Sequence, residues 1–357
     1  MTALAVAGLS LRLGTFALDG ISFALPANQV MVVLGPNGAG KSVLLETIAG
    51  FHRPARGRIV IGDRDVTALP AEQRHVGFVV QNFGLFPHLS VAQNVALGAR
   101  AHRRAEAGSD QADVATLLAR FGIAHIADAS PVVLSPGEKQ RAALARAEAS
   151  RPDLFLLDEP FAALDASARA DLRFELARFL RETRLSALFV THDYVDVAAL
   201  GDHVAVMRDG RIIQSGAVDA VFRHPVSRAA ADILGFENQL TGRVEGRDGR
   251  FLRVTVAGKI LRAEANGAAT AGETCVVIRA ENVRLEPPAT TAVTAENHLT
   301  GTIVALQPLG ALTKVTLDCG FRLVACLMTR DVAALGLTPG AASSAAVAAA
   351  DIRVVAP

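Results

Sequence analysis

The fold of this chain is decided by one stretch, Gly35-Pro36-Asn37-Gly38-Ala39-Gly40-Lys41-Ser42. An apolar segment of buried-strand character precedes it, and a segment with the composition of a helix follows it. A glycine loop between a strand and a helix lets successive backbone N–H groups and the helix N-terminus surround phosphate oxygens. In this pattern Lys41 reaches the terminal phosphates and the Ser42 hydroxyl lies on Mg²⁺. A glycine-rich turn with a stray lysine is the alternative, but the number of fixed positions disfavours it, so the stretch predicts a nucleoside triphosphate site.

The bulk composition excludes several classes of protein. The 357 residues suffice for about two domains, and the formal net charge is only +1, with no long basic block. The sequence therefore does not predict binding to nucleic acid or to a membrane surface. Cys275, Cys319 and Cys326 lack metal-ligand spacing, which favours packed thiols over disulfides. Because we find neither a signal-peptide pattern nor an apolar run long enough to cross a bilayer, a role at a membrane is expected to need a partner.

Polar residues follow three later apolar segments of strand-like character. They are Gln81, the adjacent pair Asp158 and Glu159, and His192. Because α/β sheets place their chemistry at the carboxyl ends of strands, we expect the two acids to act together. One can hold Mg²⁺ while the other polarises water. A surface glutamine, two surface acids or a structural histidine is the alternative for each taken alone.

Two other segments are suited to contact a nucleotide. Phe16 precedes the phosphate loop, where an aromatic ring can stack on a purine, although a core phenylalanine is an equal alternative. The other segment opens an alanine-rich helix that we expect to run to about Ser150, with proline in the first helical position. Its residues are Leu134-Ser135-Pro136-Gly137-Glu138-Lys139-Gln140-Arg141.

These motifs, in this order, resemble those of the ATP-binding subunit of an ATP-binding-cassette (ABC) transporter. The match spans nearly all of residues 3–235, and it is specific because other P-loop proteins lack the serine-glycine segment before the acidic strand end. The resemblance implies an α/β P-loop ABC ATPase domain over 1–235, with a helical subdomain at about 82–150. It also implies ATP and Mg²⁺ as cofactors.

The resemblance further implies a role for each strand-end residue. Glu159 is expected to be the general base and His192 the sensor of the γ-phosphate. Ser42, Asp158 and Gln81 are expected to hold Mg²⁺, and Gln81 is also expected to be the lever coupled to the membrane subunits. The implied activity is ATP hydrolysis that drives solute import.

The resemblance implies a head-to-tail dimer that encloses two ATP molecules. The phosphate loop of one chain would face Ser135, Gly137 and Glu138 of the other across the γ-phosphate. Pro136 stands where the family usually has glycine, which removes a backbone N–H from this turn. Since proline is favoured at the start of a helix, we interpret it as tolerated, with an altered ATPase rate.

The implied partners also include integral membrane permease subunits and, indirectly, an extracytoplasmic solute-binding protein. The implied location is peripheral, on the cytoplasmic face of the inner membrane. Nucleic acid is not an expected partner. A cassette ATPase of translation or DNA repair is an alternative class, but such proteins typically carry two cassettes or a coiled-coil insertion, and this sequence has neither. A purely structural P-loop protein is disfavoured by Glu159 and His192.

The sequence after residue 235 changes to short alternating segments separated by glycine, and it repeats itself. Residues 237–242 recur as 296–301, in the form Glu-Asn-x-Leu-Thr-Gly. The two copies, about 236–287 and 294–357, predict an all-β C-terminal domain of two five-stranded, OB-like barrels. We expect residues 287–294 to link the copies and the alanine-rich segment 341–350 to contain a strand.

This tail resembles the regulatory region of importer ATPases, and its second copy is similar to the molybdate-binding (TOBE/Mop) module of molybdate and tungstate importers. That similarity implies an oxyanion site, with backbone N–H groups and Lys314 as the expected donors. Glu296 stands where the module often carries arginine, and a carboxylate is a poor neighbour for an oxyanion. A barrel that only stabilises the dimer is therefore the alternative. The expected solute is molybdate or tungstate, with ferric iron, sulfate and polyamine as alternatives.

Overall fold

A computed structural model of the protein describes residues 1–102, 110–162, 164–265, 272–286 and 297–357. The chain forms two compact units, Met1–Val221 and Phe222–Pro357. The domain boundary after residue 235 stays a prediction. Two expectations, the link at 287–294 and the position of Glu296, lie outside the described residues.

The N-terminal part of the chain alternates strands and helices. Its strands are β1 (Thr2–Leu13), β2 (Phe16–Pro26), β3 (Val30–Leu34), β4 (Arg56–Ile61), β5 (Arg64–Asp65), β6 (Val76–Val79), β7 (Leu154–Asp158), β8 (Ala187–Thr191), β9 (His203–Arg208) and β10 (Arg211–Ala217). Its helices are α1 (Lys41–Ala49), α2 (Val91–His102), α3 (Asp110–Arg120), α4 (Pro136–Ala149), α5 (Ala166–Thr183), α6 (Tyr194–Leu200) and α7 (Val218–Arg223).

A six-stranded sheet positions the candidate site. Its strand order is β10-β9-β3-β8-β7-β6, and all neighbours except β9 and β10 are parallel. Every residue of β3, β7 and β8 is buried, as expected for strands that are covered on both faces. The carboxyl ends of β3, β8, β7 and β6 therefore lie side by side at one edge of the sheet. The phosphate loop follows β3, His192 follows β8 and Gln81 follows β6, while Asp158 ends β7 and Glu159 comes directly after it.

An antiparallel sheet and a helical cluster complete the N-terminal unit. The sheet has the strand order β2-β1-β4-β5. Helices α2, α3 and α4 enclose a separate apolar core around Val91, Val95, Leu118 and Ala145, which confirms the predicted helical subdomain. None of the helices in the described ranges is long and apolar enough to cross a membrane.

The C-terminal unit is mostly β structure. Its helices are α8 (Arg228–Ile233) and α9 (Thr329–Ala334). Its strands are β11 (Asn238–Asp248), β12 (Phe251–Val256), β13 (Lys259–Glu264), β14 (Gly272–Ile278), β15 (Arg284–Glu286), β16 (Asn297–Leu309), β17 (Leu312–Asp318), β18 (Arg322–Met328), β19 (Ala342–Val347) and β20 (Ile352–Val355). The two five-stranded sheets confirm the predicted all-β architecture, and β19 confirms the strand expected in the alanine-rich segment.

The two sequence repeats exchange their last strands. The sheet orders are β13-β12-β11-β14-β20 and β15-β19-β16-β17-β18, so each repeat completes the sheet of the other. Strand β20 pairs with β14, and β15 pairs with β19. One continuous apolar core contains side chains from both sheets. Because short terminal strands satisfy their backbone hydrogen bonds equally well in either sheet, the repeat pattern alone did not predict this exchange.

Two buried asparagines at equivalent repeat positions join the sheets. Asn238 donates to Val324 O at 2.8 Å and to Ile278 O at 3.3 Å, and its Oδ1 accepts from Val324 N at 2.6 Å. Asn297 makes the same pair of bonds to Arg262, accepting from its N at 2.6 Å and donating to its O at 2.8 Å. Each asparagine therefore pairs with an edge-strand backbone in the opposite sheet, where no ladder partner is available on that side.

The Asn238→Ala variant is expected to destabilise the contact between the two tail sheets by about 3 kcal/mol, because buried backbone groups lose their only side-chain partner. Hydrogen exchange of the β18 amides in the full chain measures this, since faster exchange reports easier local opening. Gln239→Ala is the matched control, because Gln239 is half-buried and its side chain donates to Phe236 O. Unchanged β18 exchange in Asn238→Ala would contradict the structural role.

Candidate active site

The phosphate loop has the backbone geometry that its glycines predict. Gly38 and Gly40 adopt φ of 81° and 98°, a left-handed region that favours glycine, and α1 begins directly afterwards at Lys41. A Cβ at Gly40 would lie 2.3 Å from Cζ of Phe16. Glycine is therefore required at this position both for its φ and for the close approach of the Phe16 ring.

Lys41 is buried at the base of the loop, with 5% of its side chain exposed. Its Nζ donates to Gly35 O at 2.9 Å and to Pro36 O at 3.1 Å. The same ammonium lies 3.5 Å from Glu159 Oε1. A buried ammonium surrounded by acceptors is held at a fixed place, where phosphate oxygens can replace those acceptors.

Two side-chain oxygens that could be metal ligands meet at the predicted Mg²⁺ site. The Ser42 hydroxyl donates to Asp158 Oδ1 at 2.9 Å. Burial raises the pKa of Asp158, and the nearby carboxylates of Glu159 and Glu46 raise it further, while the Ser42 hydrogen bond and Lys41 lower it. A carboxylate whose charge is disfavoured in this way gains most from a nearby cation. The donor set suits Mg²⁺, which prefers one or two protein oxygens together with phosphates and water.

The second acid of the pair is held in an unusual backbone conformation. Glu159 has φ of 44°, which costs a non-glycine residue on the order of 1–3 kcal/mol. Its backbone N donates to Val190 O at 3.1 Å, so the turn is tied to β8. His192 Nδ1 lies 3.1 Å from Glu159 Oε2. The turn thus directs this carboxylate toward both Lys41 and His192.

A cavity of about 430 Å³ collects half of the predicted site residues. Its lining residues are Phe16, Asn37, Gly38, Gly40, Lys41, Ser42, Val43, Gln81 and Glu159. Gln81 and Phe16 therefore lie at the same cavity as the phosphate loop, as the sequence predicted for a metal ligand and a base-stacking ring. Their individual roles stay predictions.

The serine-glycine segment lies elsewhere in the chain. Ser135 caps α4 by accepting from Glu138 N, and it donates its hydroxyl to Glu138 Oε2 at 2.6 Å. This hydrogen bond and that from Ser135 N lower the pKa of Glu138. Pro136 occupies the first helical position, which needs no N–H donor. Among the described residues, neither these nor Gly137 line the phosphate-loop cavity.

Sequence reasoning missed a residue that holds the segment after Gln81. Arg146, near the end of α4, donates to Gly84 O at 2.5 Å and to Phe83 O at 3.2 Å. Its guanidinium carbon lies 5.8 Å from the centre of the Phe86 ring. Charged side chains are rarely buried without partners, so an arginine among the alanines of a buried helix was an available signal.

Family models assign both parts of the chain. Residues 18–162 match the ABC transporter family, and residues 294–354 match the TOBE domain. The structure of cbiO1 from Clostridium perfringens, part of the ABC transporter complex cbiONQ, matches with a TM-score of 0.55 and 31% identity. The match covers 62% of this chain and 90% of that one.

Curated relatives match along most of the sequence. The molybdate/tungstate import ATP-binding protein WtpC of Pyrococcus horikoshii is 38% identical, over 91% of this chain and 92% of the relative. The putative 2-aminoethylphosphonate import ATP-binding protein PhnT of Salmonella typhimurium is 37% identical, over 88% and 85%. With this similarity and the site geometry described above, the chain belongs to the ATP-binding subunits of ABC transporters, which are ATPases that use ATP with Mg²⁺.

Proposed function

We propose that this chain couples ATP hydrolysis to the import of molybdate or tungstate through a membrane permease. The assignment of ATP hydrolysis is supported above all by the contact of the Glu159 carboxylate with His192 and Lys41, at the edge of the phosphate-loop cavity. The molybdate or tungstate solute is inferred from the similarity to the molybdate/tungstate importer subunit WtpC and from the TOBE match in the tail.

We assign the chemistry to residues of the described site. Glu159 accepts the proton of the attacking water as general base, and His192 orients that carboxylate and contacts the γ-phosphate. Lys41 binds the terminal phosphates, and Phe16 stacks on the base. Ser42, Asp158 and Gln81 would hold Mg²⁺ through their side-chain oxygens, and the bound ion would neutralise phosphate charge.

Each complete site requires a second copy of the chain. Ser135, Gly137 and Glu138 lie at the N-terminus of α4, outside the phosphate-loop cavity, which supports their action on the nucleotide of a partner. The N-terminus of α4 offers the partial positive charge and donors that suit a γ-phosphate. The Ser135 hydroxyl must then exchange its bond to Glu138 for one to phosphate.

The proposed assembly is a head-to-tail dimer bound to integral membrane permease subunits. We infer that it lies peripherally on the cytoplasmic face of the inner membrane, where ATP is available. An extracytoplasmic solute-binding protein would act indirectly, by delivering solute to the permease. Gln81 is suited to transmit the nucleotide state, because Arg146 ties the segment after it to α4.

Uptake into vesicles that contain the chain, its permease and the binding protein tests the solute. We expect ATP-dependent accumulation of molybdate or tungstate, measured by elemental mass spectrometry, and none with the Glu159→Gln chain. Uptake of 2-aminoethylphosphonate, ferric iron, sulfate or a polyamine without molybdate or tungstate uptake would overturn the solute assignment. It would leave the ATPase assignment intact.

We also propose that the second tail repeat takes an oxyanion at Lys314. Its Nζ lies 3.4 Å from Glu237 Oε1, and the side chain remains one-third exposed, so an anion must compete with this ion pair. In the same vesicles, excess molybdate on the ATP side should depress wild-type uptake and affect a Lys314→Met complex less. Arg330→Met is the control, since Arg330 is exposed and pairs with its neighbour Asp331. Equal inhibition of all three complexes would contradict an oxyanion site at Lys314 and would favour a structural role for the tail.

A further inference from the structure

Helix α5 carries two arginines, one turn apart, that each contact both the segment before this helix and the segment after His192. Arg173 donates Nε to Asp196 Oδ1 at 2.8 Å, and its guanidinium carbon lies 5.7 Å from the centre of the Phe161 ring. Arg169 donates to Leu164 O at 3.4 Å, and its Nη1 lies 3.7 Å from Asp193 Oδ2. Phe161 and Leu164 follow the Glu159 turn, whereas Asp193 and Asp196 follow His192. The two arginines therefore connect the segment after Glu159 with the segment after His192.

The Arg173–Asp196 pair is largely removed from water. The side chains are 15% and 4% exposed, and Arg173 Nη2 also bonds Asp196 Oδ1. Desolvation offsets most of the attraction in such a buried pair, so it contributes little net stability compared with apolar residues of similar volume. Its effect is geometric, because the guanidinium holds Oδ1 of Asp196 while the Thr191 hydroxyl holds Oδ2, and together they fix the orientation of the carboxylate.

A chain of hydrogen bonds leads from this pair to the backbone around His192. Asp196 Oδ2 accepts from the Thr191 hydroxyl at 2.7 Å, and that hydroxyl oxygen accepts from Asp193 N at 3.0 Å. His192 lies between Thr191 and Asp193 in the chain. Both of its backbone neighbours are therefore held by the Thr191 hydroxyl, which is itself bonded to Asp196. Half of the His192 side chain is exposed, and packing alone therefore does not fix its ring.

We propose that Arg173, acting through Asp196, is a positioning residue that keeps His192 in place to meet Glu159. The proposal rests on the roles given to Glu159 and His192 above. Arg173 does not line the phosphate-loop cavity, so nucleotide affinity is not expected to depend on it. Its contact with Phe161 makes the position of His192 sensitive to the segment that follows Glu159.

Arg173→Met in the full-length chain tests the proposal. Nucleotide affinity should stay near the wild-type value, while kcat falls about 10- to 100-fold because His192 and Glu159 are misplaced. Arg178→Met is the matched control on the same helix, since Arg178 is exposed and pairs with Glu182. It should leave both affinity and kcat unchanged. A wild-type kcat in Arg173→Met would overturn the proposal.

A second variant separates positioning from stability. Arg173→Met leaves the Asp196 carboxylate buried without its partner and lowers Tm, whereas Arg173→Met with Asp196→Leu removes both charges and should restore Tm. We expect kcat to remain low in the double variant, because no carboxylate then holds the Thr191 hydroxyl. Recovery of kcat together with Tm would show a purely structural role and overturn the proposal.

The His192→Ala variant distinguishes a failure of this proposal from a failure of the proposed function. If Arg173 acts through His192, Arg173→Met should lower kcat little further in a His192→Ala background, a non-additive result. Full additivity would overturn the positioning role and leave the assigned role of His192 intact. A wild-type kcat in His192→Ala itself would remove the catalytic role of His192, and the positioning proposal with it.

Discussion

The Glu159→Gln variant is expected to bind ATP with close to wild-type affinity and to hydrolyse it at least about 100-fold more slowly. Glutamine has nearly the shape of glutamate and can still contact His192 and Lys41, so the loops keep their geometry. It cannot accept a proton from water. The loss therefore falls on the chemical step, and equilibrium nucleotide binding together with kcat measures the two effects separately.

Two controls make this result specific. Glu182→Gln removes an exposed carboxylate from α5 and should change neither binding nor hydrolysis. Lys41→Ala should instead weaken ATP binding, because its ammonium contacts phosphate in both the ground state and the transition state. Hydrolysis at the wild-type rate by Glu159→Gln would remove this residue from its assigned role.

The sequence allowed the nucleotide-binding half to be predicted because its signals are local. A glycine loop between strand and helix constrains its own backbone, as the φ angles of Gly38 and Gly40 show. Likewise, Asp158, His192 and Gln81 each follow a short apolar strand, and parallel strands bring their carboxyl ends to one edge. That these residues lie close together in space therefore followed from the parallel sheet alone, without knowledge of any side-chain contact.

Contacts between distant segments could not be predicted in the same way. The exchange of β15 and β20 between the tail sheets depends on which of two equivalent edges each strand joins. The bonds from Arg173 to Asp196, in the first turn of α6, depend on how α5 is turned against α6, which helical periodicity does not specify. All three cysteines are free thiols, as their spacing predicted.

Closure of the dimer on ATP is expected to require complementary halves from two chains. Ser135→Arg places a bulky cation where the γ-phosphate of the partner site should lie, and Lys41→Ala removes the ammonium from the phosphate loop. Either homodimer then has two defective composite sites. A heterodimer of the two variants has one site built from the intact phosphate loop of the Ser135→Arg chain and the intact α4 start of the Lys41→Ala chain.

The most direct test of the head-to-tail ATPase is therefore the ATP-dependent dimerisation of this mixture, followed by sedimentation with Mg²⁺ and ATP. The restored site should drive dimer formation well above the level of either variant alone. The control is the Ser135→Arg chain without the Lys41→Ala chain, at the same total concentration. It should show no increase in ATP-dependent dimer formation. A mixture that dimerises no better than the separate variants would contradict the composite site and the mechanism built on it.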